Sequence, residues 1–219
     1  MALWQLWLTA IQETLQFLST DIGLGSGLAI VALALLTRSV LLPLSWTAAY
    51  RGAIRQRKLK VLQPELAKLK EELAGQPQLY TERMMALYRR HGLSVVDGKS
   101  FLTAAVQMPV FVGTFQVLRG APLGGRFLWI ANLTRPDVAL AVLAAVSTMV
   151  LVAINPDLPE QVRWIMILVP AVLTLIAALK VASALSLFWA VSNCFSSLQA
   201  ASVYYVAGRG PGSRGTAGC

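Results

Sequence analysis

The sequence predicts an all-α membrane protein with five transmembrane helices. A helix lying in the membrane interface precedes the first span, and a cytoplasmic antiparallel helical hairpin separates the first span from the second. Three observations point there. The chain is 56% hydrophobic and only 13% charged, with a mean hydropathy of +0.62, so a folded form cannot cover itself with a wettable surface. Five apolar runs recur along it, four of them long enough to cross a bilayer and one, Trp164 to Leu179, shorter. Of its 19 basic residues, 11 fall between Arg51 and Lys99, and a basic block of that kind between apolar runs marks the cytoplasmic side.

Residues 1–21 contain no Lys or Arg, so they resemble neither a secretory signal nor a transit peptide and are expected to be retained. Trp4, Leu8, Ile11, Leu15 and Leu18 recur at helical spacing, with Gln5, Gln12, Glu13 and Gln16 elsewhere on the wheel. This is the pattern of an amphipathic helix in the interface, and its lack of positive charge places it outside the cytoplasm.

The first span, residues 22–47, carries one charge. Arg38 lies 16 residues beyond Ile22, roughly 24 Å along a helix that must cross about 30 Å of hydrocarbon. An isolated charge at mid-bilayer costs roughly 2.5–3.5 kcal/mol, so such residues face a hydrated cavity or a partner, or snorkel to the surface. Five residues downstream, Pro43 lacks an amide and frees the carbonyl of Ser39, beside Arg38.

Residues 48–99 form the polar insert. Leu59, Leu62, Leu66, Leu69 and Leu73 alternate spacings of 3 and 4, a seam that needs a partner helix. Gly75 and Pro77 stop that helix and start another, in which Met84, Leu87 and Tyr88 share an apolar side. The expected result is an antiparallel hairpin, with Pro64 predicting a kink or break in its first arm. Its basic side chains, among them Arg55, Arg57, Lys58, Lys60, Arg89 and Arg90, form either a solvated face or a docking surface for acidic or ribosomal partners.

Spans two to five occupy residues 100–206, in the runs Ser100 to Leu118, Val138 to Pro156, Trp164 to Leu179 and Val181 to Gly208. Pro109 and Pro170 interrupt the first and third of these, and Lys180 alone separates the last two. Residues 207–219 are Gly-rich and expected to be a disordered cytoplasmic tail. With the insert inside, the N-terminus lies outside and the C-terminus in the cytoplasm, in a bacterial plasma membrane.

No catalytic constellation is present. There is no Gly-rich phosphate loop, no HExxH and no Asp, Glu or His within a span, which argues against an enzyme, a metal and a cofactor. The two cysteines, Cys194 and Cys219, form neither a disulfide framework nor a metal-ligand spacing. The net charge of +9 is concentrated in the insert and is read as topology rather than nucleic-acid binding. The spans instead carry polar stripes. Thr103, Gln107 and Thr114 share one face of the second, and Ser186, Asn193 and Ser197 one face of the last, widened by Ser192, Ser196 and Gln199. Such groups serve as interhelical hydrogen-bonding contacts, or, if both stripes face Arg38, they line a hydrated cationic groove.

The order of TRSVLLPL in the first span, LQPEL and MMALYRRHG in the hairpin, QMPVF in the second span and VSNCFSSLQ in the last resembles the YidC/Oxa/Alb family of membrane protein insertases over residues 22 to 206. The resemblance implies a five-helix bundle around a hydrophilic groove open to the cytoplasm and the lipid. Arg38 would take the place of the groove arginine. The clients would be nascent membrane proteins, single-span and small multi-span, with the ribosome and the Sec translocon as possible companions. Three features differ from the family pattern: Ser94 to Ser100 before the second span, Lys180 to Ala184 before the last, and a short, weakly basic C-terminal tail; the large periplasmic domain of many Gram-negative members is expected to be absent as well. Two other classes stay open: a small transporter or channel subunit binding an anionic solute at Arg38, and a membrane-anchored coiled-coil scaffold.

Overall fold

The computed structural model describes residues 2–93, 98–121, 123–155, 158 and 162–209. The Ser94 to Asp97 stretch and the tail from residue 210 lie outside the described residues, as do the side chains of 98–104, 208 and 209. Every described element is a helix apart from a two-residue bridge between Phe127 and Ile130.

Helix α1 spans Ala2–Gln16 and continues into a π-helical turn, Phe17–Asp21. Its apolar stripe is buried at Ile11 and Leu15, and at Leu18 in the turn. α1 packs on α4 (Gly98–Gly120), where Trp7 Nε1 donates to the carbonyl of Pro109 at 3.3 Å. The absence of a side chain at Gly113 lets the Trp7 indole lie there.

Helix α2 runs unbroken from Gly25 to Glu72, so the first apolar run and the first arm of the basic insert are one element. Pro43 and Pro64 both lie inside it, and the chain is not broken at Pro64, where the carbonyl freed four residues back belongs to an exposed residue. The seam explains the continuity: Leu62 is buried, and Leu59, Leu66, Leu69 and Leu73 are half-buried among exposed charged neighbours. A turn at Leu73 to Gln76, with Gly75 at φ 94°, leads into α3 (Pro77–Arg90), which contacts α2. Met84, Leu87 and Tyr88 are the half-buried residues in the second half of α3.

Helices α5 (Val138–Ala153), α6 (Arg163–Ala178) and α7 (Ser183–Arg209) complete the bundle. α7 continues through Ala207 and Gly208 to Arg209, beyond the expected start of the tail at 207. It packs between α2 and α5, and α6 packs on α5. Small side chains permit the close approach: Ala141, Ala144 and Ala145 on α5, and Ala171 and Ala178 on α6, are buried. Among the described residues one helix, α2, is both long and apolar enough to cross a bilayer, while α5 and α6 are apolar helices of 16 residues.

The loop after α4 closes one end of this bundle. Leu123, Ile130 and Leu133 are buried in it, and Ser26 Oγ on α2 donates to the carbonyl of Gly124 at 3.2 Å. The loop also caps two helices. Asp137 accepts from the Leu140 amide at 2.8 Å to start α5, and the carbonyls of Arg135 and Leu133 accept from the first amides of α7, Ser183 and Ala184, both at 3.0 Å. Phe127 lies directly against α2, where a Cβ on Gly27 would overlap its ring. Gly27→Val should therefore destabilise the protein by about 1–3 kcal/mol through overpacking, whereas Gly52→Val, where a Cβ meets nothing within 4 Å, should cost much less. Thermal unfolding of the detergent-solubilised variants checks this, and equal losses at the two positions would refute the contact.

Candidate functional site

Two apolar clusters hold α2 and α7 together, with a gap between them. The larger, at the loop end, includes Ile30, Leu33 and Ala34 of α2, Val117 and Leu118 of α4, and Leu185, Leu187 and Phe188 of α7. The smaller, at the far end, joins Trp46, Ala49, Tyr50 and Ala53 of α2 to Val203, Tyr204 and Ala207 of α7. Neither cluster contains any residue from 35 to 45 of α2 or from 192 to 202 of α7.

Polar side chains occupy that gap. Ser45 on α2 and Gln199 on α7 bond to each other, with the amide nitrogen 3.0 Å from the hydroxyl. Further along, Tyr204 reaches Gln56 at 3.5 Å and Arg57 donates to the carbonyl of Ala207, so the two helices run in the same direction. Arg38 is seven residues before Ser45, and Ser192 is seven before Gln199, which puts both on the facing stripes one heptad nearer the loop end. Arg38 is half-buried, and its guanidinium forms no ion pair or hydrogen bond among the described residues. The Ser192 hydroxyl is buried and likewise has no partner among them.

α4 supplies the third wall. Gln107, Phe111 and Thr114 share one face of it. Thr114 is 1% exposed, its hydroxyl bonded to the Val110 carbonyl at 2.8 Å, and the Phe111 ring meets Trp189 of α7 edge-on at 6.0 Å. One turn nearer the start of α4, Gln107 is exposed. This face of α4 is thus packed at Thr114 and exposed at Gln107. Thr103 lies in α4 beyond Gln107, with its side chain outside the described residues.

The stripe of Ser186, Asn193 and Ser197 faces elsewhere. Asn193 Nδ2 donates to Thr148 Oγ1 at 2.8 Å and to Ser147 Oγ at 3.3 Å on α5, and Thr148 is 3.3 Å from Thr174 Oγ1 on α6. This is a buried polar network across three helices, and the neighbouring hydroxyls of Ser186 and Ser197 are buried without a partner among the described residues. The structure thus places Arg38 at the gap between the two α2–α7 clusters, leaves Gln107 exposed on α4 and directs the Asn193 amide toward α5. Ser45, Trp189, Ser147, Thr148 and Thr174 are the partners that sequence reasoning missed. Ser45 was signalled by its heptad spacing from Arg38, and Ser147 and Thr148 by their adjacency in an otherwise apolar run.

The basic residues of the insert divide similarly. Arg57 is engaged with the end of α7, and Arg55 is half-buried, whereas Lys58, Lys60, Arg89 and Arg90 are exposed. Arg89 and Arg90 sit in the last turn of α3, where the helix dipole favours a cation.

A cation flanked by hydroxyl and amide groups, half-sheltered between apolar walls, can hold an anionic or strongly polar chain segment by charge-assisted hydrogen bonds. Compared with known proteins, the chain matches the family described as 60Kd inner membrane protein over residues 17–208, and it belongs to that family. It is similar to the membrane protein insertase YidC of Ralstonia nicotianae, 35% identical over 204 residues that cover 88% of this chain and 35% of that protein. The membrane protein insertase YidC of Cupriavidus taiwanensis is 33% identical over 216 residues, covering 93% and 37%. The membrane protein insertase YidC 2 of Staphylococcus epidermidis is 27% identical over 213 residues, covering 89% and 73%. The chain spans about a third of the length of the first two relatives.

The Asn193 network gives a measurable coupling. In a double-mutant cycle, Asn193→Ala and Thr148→Ala should show an interaction energy of about 0.6–1.7 kcal/mol, the range for interhelical hydrogen bonds in membranes. Strictly additive losses in a denaturation titration would mean that the bond contributes nothing.

Proposed function

We propose that the chain is a membrane protein insertase whose crevice between α2, α4 and α7 receives the polar segment of a client while the client's apolar helix enters lipid alongside. The observation that carries this is Arg38, half-buried and without a partner among the described residues, at a gap in the apolar core. Membership in the family and the names of its relatives support the same function. The physics is that of a shortened barrier. A hydrated crevice reduces the low-dielectric distance a polar segment must cross, the fixed cation offsets part of its dehydration, and burial of the client's apolar surface in lipid drives the step.

Five spans follow in this proposal: the first part of α2, then α4, α5, α6 and α7. Supporting it, Val142, Val146 and Val150 of α5 and Leu168, Val172 and Leu173 of α6 are exposed apolar side chains that lipid would cover. The N-terminus lies outside and the C-terminus in the cytoplasm, with α3 and the end of α2 as a cytoplasmic hairpin. Lys58, Lys60, Arg89 and Arg90 then form its docking face for a ribosome, translocon or other acidic partner, while Arg55 and Arg57 hold the hairpin arm near the end of α7. Gln107 stands on the α4 wall of the crevice, Thr103 belongs to the α4 turn before it, and Thr114 packs the inner end. Asn193, with Ser186 and Ser197, braces α7 from behind.

The test is reconstitution in liposomes with a single-span client bearing an acidic N-terminal tail, scored by protease protection. Arg38→Ala should lower insertion about tenfold, equivalent to roughly 1.4 kcal/mol, and Arg38→Lys should keep a substantial part because it keeps the charge. Equal insertion by all three proteins would remove Arg38 from the mechanism, and no insertion above protein-free liposomes would end the proposal.

A further inference from the structure

At the loop end of the bundle, away from the crevice mouth, two cations from distant parts of the chain meet over one cavity. Arg119 belongs to the last turn of α4, and Lys180 to the turn between α6 and α7. Together with Phe115, Val181, Ala182 and Leu185 they line a cavity of about 210 Å³. Phe115 and Arg119 also line an adjoining open depression of about 600 Å³ that continues along α4 past Gln116 to Val112.

A cation at the C-terminal end of a helix is favoured by the dipole alone, and this would account for either residue singly. It does not account for their convergence on a shared cavity with an apolar floor. Nor does a carboxylate neutralise them among the described residues. Asp137 at this end accepts from the Leu140 amide and from Trp129 Nε1, and Asp21 pairs with Thr20. Neither Arg119 nor Lys180 forms an ion pair or side-chain hydrogen bond among the described residues.

We propose that this cavity binds the phosphate of an anionic phospholipid of the outer leaflet, held by Arg119 and Lys180, with the lipid's apolar portion lying in the depression along Phe115 and Val112. A phosphodiester presents two acceptor oxygens to the planar fork of Arg119, and the Lys180 ammonium adds a second charge. A free phosphate would use the cations but leave the apolar depression empty, whereas a lipid fills both. Basic pockets between membrane helices recognise anionic headgroups by this combination. The assignment rests on the proposed span arrangement, which sets the cavity at headgroup level, and is independent of insertase activity.

The experiment is native mass spectrometry of the purified full chain in neutral detergent, titrated with phosphatidylglycerol or phosphatidylcholine. The wild type should retain phosphatidylglycerol preferentially. The pair Arg119→Ala and Lys180→Ala should weaken it about 20–30-fold, each cation contributing about fivefold. The pair Arg119→Lys and Lys180→Arg, which preserves both charges, should retain most of the preference. An unchanged preference in an alanine pair that melts like the parent overturns the site. Displacement of the lipid by inorganic phosphate at equal concentration overturns the lipid as its occupant, and displacement by an acidic client-tail peptide assigns the cavity to clients instead. In liposomes of phosphatidylcholine alone the alanine pair should insert clients normally, and failure there also overturns the assignment. Loss of the Arg38 effect with phosphatidylglycerol binding intact would sink the insertase mechanism and leave the lipid site standing.

Discussion

A polar side chain inside an apolar bundle must find a partner or water, and the position of α7 follows from that requirement. It carries polar groups on two different sides, and it lies between the two helices that answer them. Toward α5 its Asn193 amide is enclosed by Ser147 and Thr148. Toward α2 its Gln199 meets Ser45. Hydrophobic burial supplies little directional preference between helices surrounded by lipid, so these bonds and the close approach of small residues determine which faces meet.

The contrast between the two sides of α7 defines what each can do. On the α5 side Asn193, Ser147, Thr148 and Thr174 of three helices are buried and mutually bonded, an arrangement that holds helices in register. On the α2 side the apolar contacts stop at Ala34 and resume at Trp46, and the intervening stretch contains Arg38. A guanidinium there is costly unless water or an anion reaches it. The single long α2 carries both Arg38 and the first arm of the basic insert.

Much of this was legible in the residues themselves. Apolar runs bounded by Arg119, Asp137, Arg163 and Lys180 became α4, α5, α6 and α7, because a backbone in an apolar setting must bond within its own helix. The leucine seam from Leu59 to Leu73 showed which side of α2 is sheltered. Less legible was the continuity of α2: composition changes abruptly near Tyr50 and Pro64 suggests a break, yet helical hydrogen bonding is local and does not register a change from apolar to charged side chains. The partners of Asn193 were hidden for another reason. A polar stripe reports an angle on its own helix but not which neighbour that angle faces.

The sequence by itself determined the class of protein, the helical content, the lone charge in the first apolar run and the basic insert, since these depend on composition and on periodicity within one element. Only the tertiary structure decided that Asn193 turns toward α5 and that Arg119 and Lys180 share a cavity. Those pairings join residues 45 apart, as with Asn193 and Thr148, or 61 apart, as with Arg119 and Lys180. They are set by how helices rotate and cross, and no spacing within a single helix encodes that.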